Sequence, residues 1–123
     1  MRVGEILGIK KEHINGQTLY IPVTKTKPRS IPLTKRALEI LNNTNLPFTL
    51  SAMAVSKQFN WLCKFYKIHD GRFHDLRRQA LTNFMIEKKL SVAEVMLISG
   101  HADPRILLNI YNNTKIHDLI KKL

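Results

Sequence analysis

The chain has 123 residues, 44% hydrophobic and 24% charged, which is the balance of a folded globular protein and enough length for one domain. Twenty lysines and arginines face nine aspartates and glutamates, a formal net charge of +11 that points to a polyanionic partner, with nucleic acid the first candidate. One cysteine excludes an internal disulfide scaffold, and no run approaches the roughly 18 apolar residues of a membrane span.

Val3, Ile6, Leu7 and Ile9 fit one face of a short helix over 3–11, and the closely spaced charges there exclude a signal peptide, so the chain reads as soluble and cytoplasmic. Asn15-Gly16 is a turn signal. Residues 17–23 alternate and are rich in β-formers, and 30–33 read as the return strand, with Pro32 marking a sheet edge. Between them lies a basic connection, residues 24–29. Everything after is helical. Thr34 caps a helix ending near Asn42-Asn43, and Ser51 or Ser56 starts the next, striped with Val55, Phe59, Leu62, Cys63 and Tyr66. Asp70-Gly71 breaks that helix and 73–89 forms another. Ser91 and Glu94 make a capping box, and Gly100 ends the helix they open. Asp103 as cap and Pro104 as first helical residue begin the next, and Thr114 starts a basic amphipathic tail. These elements predict a mainly α-helical α+β fold with a small antiparallel sheet near the N-terminus.

Taken singly, the polar landmarks have ordinary readings. Lys25, Lys27 and Arg29 suit a solvated hairpin, His74 and Arg77 merely share a helix face, His101 follows a helix-ending glycine, and Tyr111 suits packing. Their order is what stands out. Arg2 with Glu5, a hairpin lysine, His74-Asp75-Leu76-Arg77, Gly100-His101 and then Tyr111 resemble the catalytic domain of tyrosine recombinases, the phage integrase family. The likeness extends to the Val-Gly-Glu-Ile-Leu helix and to the Thr-Lys-Thr hairpin followed by Arg-Ser-Ile-Pro-Leu.

The resemblance implies a site-specific recombinase that cleaves and rejoins DNA. Tyr111 would attack the scissile phosphate, forming a 3′-phosphotyrosyl link and releasing a 5′-hydroxyl. Arg2 and Arg77 would clamp the phosphate, Lys25 would protonate the departing oxygen, and His74 and His101 would assist, with Glu5 supporting the site from behind. Lys27, Arg29 and Arg78 would bind the DNA backbone. Such chemistry suits the residues: a phenol with an ordinary pKa near 10 needs an electropositive site, and guanidinium groups present permanently charged planar forks to phosphate.

No cofactor and no metal is implied; His13, His69 and His117 match no ligand spacing, and Cys63 reads as a small buried apolar side chain. Double-stranded DNA is the expected partner, with self-association on DNA as a tetramer in the full-length family and a bacterial or phage-encoded, nucleoid-associated location. Two departures stand against the family pattern. His101 and Tyr111 are ten residues apart where nine is usual, and Arg2 stands second in the chain, which reads as a partial catalytic domain, residues 1–123, lacking a core-binding domain and the first catalytic helices. The alternative function is a non-enzymatic DNA-binding remnant or competitor derived from an integrase. The tail from Thr114 reads as a protein contact, with a membrane-surface helix as the weaker reading.

Overall fold

The computed structural model describes residues 1–123. Helix α1 (Val3–Leu7) leads through a 3₁₀ turn (Lys11–His13) into β1 (Ile14–Asn15), β2 (Thr18–Ile21) and β3 (Arg29–Pro32). Five helices follow: α2 (Lys35–Asn42), α3 (Ala52–Phe65), α4 (Phe73–Ile86), α5 (Val92–Ser99) and α6 (Arg105–Lys122). The mainly helical α+β architecture is the expected one.

The strands form one antiparallel sheet in the order β1-β2-β3, with Leu19 opposite Ile31 and Tyr20 opposite Ser30. Alternation does the work expected of it: Leu19, Ile21 and Ile31 turn inward while Tyr20 and Ser30 face out. Strand β2 stops at Ile21, short of the expected Val23, because Pro22 has no N–H to continue a ladder. Pro32 lies on an edge strand, where a missing donor is tolerated.

The caps are read correctly at most ends. Thr34, Ser51 and Ser91 accept the amides of Ala37, Ala54 and Glu94, each at 3.1 Å, so Ser51 and not Ser56 opens α3. Gly100 closes α5 at φ +75°, a conformation that disfavours side chains. Asp103 Oδ1 accepts the Arg105 amide at 2.9 Å, capping α6 as expected with its start one residue later.

Three expectations are corrected. Helix α1 ends at Leu7 and not near Lys11; the Lys10 amide donates to His13 Nδ1 at 3.2 Å in a separate turn. Helix α4 ends at Ile86, because Leu90 N–H folds back to the Phe84 carbonyl at 2.9 Å. Thr114 starts nothing: its hydroxyl donates to the Ile110 carbonyl at 2.9 Å inside one continuous α6. The α3 stripe is also less buried than its spacing suggests, with only Cys63 fully inside and Leu62 and Tyr66 exposed.

Two apolar cores result. Ile9, Leu19, Ile21, Ile31, Leu33 and Leu41 fill the space under the sheet, and Leu81, Met85, Val95 and Leu107 fill the space between α4, α5 and α6. Where β3 runs beside α5 the buried residues turn polar, and Glu5, Arg77 and Ser99 lie there. No helix is long and apolar enough to cross a membrane.

Candidate active site

Glu5 is the anchor. Its spacing on α1 turns it inward, where its side chain is only 4% exposed. A carboxylate so placed needs full hydrogen bonding. Arg29, at the start of β3, supplies a two-pronged fork, with Nη1 donating to Oε1 at 3.1 Å and Nη2 to Oε2 at 2.9 Å. The Arg2 amide adds a bond to Oε2 at 3.1 Å, and the Arg2 guanidinium lies 3.5 Å from Oε1. Burial alone would raise the Glu5 pKa, but the Arg29 hydrogen bonds, the Arg2 amide and the Arg29 charge together hold it below the ordinary carboxylate value.

Arg77 approaches from α4. It is buried, and its Nη2 donates to the Ser99 carbonyl at 2.8 Å. Its Nη1 is buried without any partner. Burial, then the charges of Arg2 and Arg29, push the Arg77 guanidinium below its ordinary pKa, with Glu5 opposing. It stays protonated nonetheless, because arginine does not release its proton at biological pH. Three guanidinium groups thus face one carboxylate, and one donor is unfilled.

His101 follows the glycine that ends α5. Its backbone N–H reaches Ser99 Oγ at 3.3 Å and its ring Nδ1 lies 2.7 Å from the same oxygen. The Ser99 hydroxyl therefore holds the ring through Nδ1, as donor or acceptor according to the tautomer. Burial, then the charges of Arg77, Arg2, Arg29 and His74, lower the His101 pKa below its ordinary 6.5. The same surroundings favour the neutral ring.

His74, exposed in the first turn of α4, lies where two grooves meet. One, about 1030 Å³, runs between α1, α3 and the start of α4 and is lined by Arg72, Arg77 and Arg78. The other, about 600 Å³, runs along the hairpin and is lined by Arg2, Glu5, Tyr20 and Lys25. The structure thus brings Arg2, Glu5, Arg77 and His101 into one cluster, with His74 and exposed Lys25 at its rim. Lys27 is exposed on the hairpin and Arg78 on α4.

Two expected residues fall elsewhere. Arg29 is not an exposed cation: its side chain is 10% exposed, and its Nε also donates to the Ile98 carbonyl at 3.1 Å, so its guanidinium is engaged inside the protein. Tyr111 shares neither groove. It lines a separate cleft of about 540 Å³ with Met85, Leu90, Val92 and Lys115, packs on the helical core, and carries the Lys115 ammonium 5.6 Å from its ring centre. The cause is helical phase. Tyr111 is one turn beyond buried Leu107 and shares its inward face, whereas nine-residue spacing from His101 would turn the side chain by about 100°.

No family model matches the chain. Among curated proteins, one from Haemophilus influenzae whose name places it with integrases and recombinases is 35% identical over 121 residues, covering 90% of the chain and 39% of that protein. The shufflon-specific DNA recombinase of Escherichia coli is 32% identical over 131 residues, covering all of the chain and 34% of that protein. The chain therefore spans between a third and two fifths of the length of these relatives. Among solved structures, the Tn1549 transposon integrase in complex with circular intermediate DNA has the same fold, with a TM-score of 0.70 and 16% identity over 97% of the chain and 56% of that protein.

In sequence and fold the chain is similar to the catalytic domain of tyrosine recombinases. The arginine cluster lies where α1, β3, α4 and the end of α5 meet, and the residues that built the resemblance in sequence lie at or beside that junction, Tyr111 excepted. Sequence reasoning missed Ser99. Its carbonyl holds Arg77 and its hydroxyl holds His101, yet a serine before Gly-His at a helix end has no pattern of its own. It also read Arg29 as solvated, whereas the structure pairs it with Glu5. A strand-start arginine after a basic hairpin looks solvated until the tertiary position of Glu5 is known.

Proposed function

We propose that the chain carries the DNA cleaving and rejoining site of a site-specific recombinase. The observation that carries the reading is the cluster of Arg2, Arg29 and Arg77 about the single carboxylate of Glu5, with Arg77 Nη1 unpartnered near His101. A phosphodiester is a singly charged anion, and its phosphorane transition state gains a further negative charge. Donors aimed at that charge before reaction cost nothing to reorganise.

In the proposed reaction the Tyr111 phenol loses its proton, with His74 assisting, and its oxygen bonds to the phosphorus. The bond from phosphorus to the 5′-oxygen breaks, and Lys25 gives that oxygen a proton. Arg2, Arg77 and His101 bind the non-bridging oxygens. The phosphotyrosyl link keeps the energy of the broken bond, so a 5′-hydroxyl can reverse the attack, and no external energy source is needed. For attack to occur, Tyr111 must leave its cleft through movement of α6. Rejoining to a new strand needs more than one protomer, which makes self-association on DNA part of the proposal. Lys27 and Arg78, both exposed, are proposed backbone contacts, and the working location is on DNA.

A second reading, DNA binding without cleavage, draws on one observation: Tyr111 lies against the helical core, away from the arginine cluster. A nicked duplex carrying the protein's site decides between them. A covalent adduct that survives denaturation and is lost in Tyr111→Phe supports cleavage; salt-sensitive binding with no adduct supports the alternative.

A further inference from the structure

The proposed reaction leaves Arg29 without a direct role, although its guanidinium makes three hydrogen bonds, two to Glu5 and one to the Ile98 carbonyl. Its surroundings explain more than charge pairing does. The last carbonyls of α5 would otherwise be unpaired, as at any helix end. Here three consecutive ones accept donors from three different parts of the chain: Ile98 from Arg29, Ser99 from Arg77, and Gly100 from Thr26 Oγ1 at 3.2 Å. Cations at this end of a helix are also favoured by its dipole.

The Arg29 group lies flat on Gly100. A Cβ at Gly100 would come within 2.7 Å of Arg29 Nη1 and 2.8 Å of Cζ, so glycine is required for this approach as well as for the left-handed φ of +75°. Gly100 immediately precedes His101, and Glu5, at the Nη1 and Nη2 edge of the guanidinium, accepts the Arg2 amide. One planar group therefore spans the two halves of the proposed phosphate site.

We infer that Arg29 is a positioning residue, wedged between the Glu5 carboxylate and the Gly100 backbone, that holds Arg2 and His101 in one frame so that both reach the same phosphate. The inference rests on the phosphate reading above. Lysine cannot replace it, because an ammonium lacks the planar fork that meets both carboxylate oxygens and still reaches the Ile98 carbonyl. The charges that face His101 come from every neighbouring element: Arg77 and His74 on α4, Arg2 before α1, and Arg29 on β3. Loss of Arg29 thus removes a cation near the ring as well as a clamp.

The test compares the wild-type chain with Arg29→Lys and Arg29→Met. Three quantities are read: adduct formation on a nicked duplex at saturating protein, DNA affinity against salt, and the His101 ring titration by NMR without DNA. Arg29→Met is expected to slow adduct formation about 10²-fold, the scale of an ångström-sized misplacement, and Arg29→Lys to slow it at least about tenfold. Affinity and its salt slope stay at wild-type values, and the His101 midpoint rises in Arg29→Met. Weakened binding with a log–log salt slope smaller by about 1 would make Arg29 a DNA contact and overturn the inference. A lowered melting temperature with unchanged adduct rate and unchanged His101 midpoint would leave only a stabilising role and overturn it equally. If Arg29→Met does not fold, Arg29→Lys decides on rate against affinity. If wild type forms no adduct, the proposed function fails, while the His101 titration in the free protein still decides whether Arg29 sets the His101 environment.

Discussion

Leu107 and Tyr111 stand one turn apart on α6, and the face that buries Leu107 completely also presses Tyr111 onto Met85 and Leu90. As the proposed nucleophile, Tyr111 would be protected on the core until DNA arrives, and its release would require part of α6 to lift. Amide exchange over residues 108–122 is therefore expected to speed up when a nicked duplex binds. Hydrogen-exchange mass spectrometry measures it, and exchange that slows or stays constant across this helix would argue against Tyr111 as the attacking group. In the same assay Tyr111→Phe should bind DNA as wild type does and form no adduct.

Arg77 is expected to be the residue through which small anions stabilise the protein. Its buried Nη1 has no partner, and an oxyanion that fills it binds the folded state alone. Inorganic phosphate at 100 times its dissociation constant adds about 2.7 kcal/mol by mass action, read as a rise in melting temperature. Arg77→Met should lose that rise and should also slow adduct formation by about 10²–10³-fold, the scale for removing one pre-aimed donor. Equal stabilisation of both proteins by phosphate would place the anion elsewhere.

The sequence displayed what depends on neighbours along the chain and hid what depends on distance. Thr34, Ser51, Ser91 and Gly100 could be read because a cap acts within a few residues of itself. Leu19 and Ile31 could be read because strands alternate. The Arg2–Glu5 pair was visible at helical spacing, but the grip of Arg29 on Glu5 spans 24 positions and its bond to Ile98 spans 69. No local rule reports such a partner. Tyr111 was legible as a residue but its facing was not, since one extra position in a helix changes direction by about 100° without changing composition.

His101 is expected to titrate below 6.5 in the free protein and to move upward when phosphate or DNA binds. Burial and the surrounding guanidinium charges favour the neutral ring, and an anion in the cluster offsets those charges. The sign for stability follows. Below the unfolded value near 6.5 the unfolded chain takes up a proton that the native ring resists, so this residue costs stability as pH falls through that value. NMR titration with and without inorganic phosphate measures the shift. A midpoint above 6.5 in the free protein would contradict the arrangement.

Glu5 gives the opposite linkage. Its native pKa lies below the ordinary 4.5, so its contribution is fully present above 4.5 and is lost as pH falls through the native value. Replacing it by glutamine leaves the Arg29 fork facing a neutral amide among three cations. Breaking a buried pair from one side costs about 3–5 kcal/mol, and Glu5→Gln should fall in that range at pH 7. Below pH 4.5 the two proteins should converge, because wild type progressively loses the same charge. Urea unfolding from pH 7 down to pH 3 measures this. A constant gap across that range would mean that the Glu5 charge contributes nothing to holding α1 against β3, and the convergence of Arg2, Arg29 and Arg77 would need another cause.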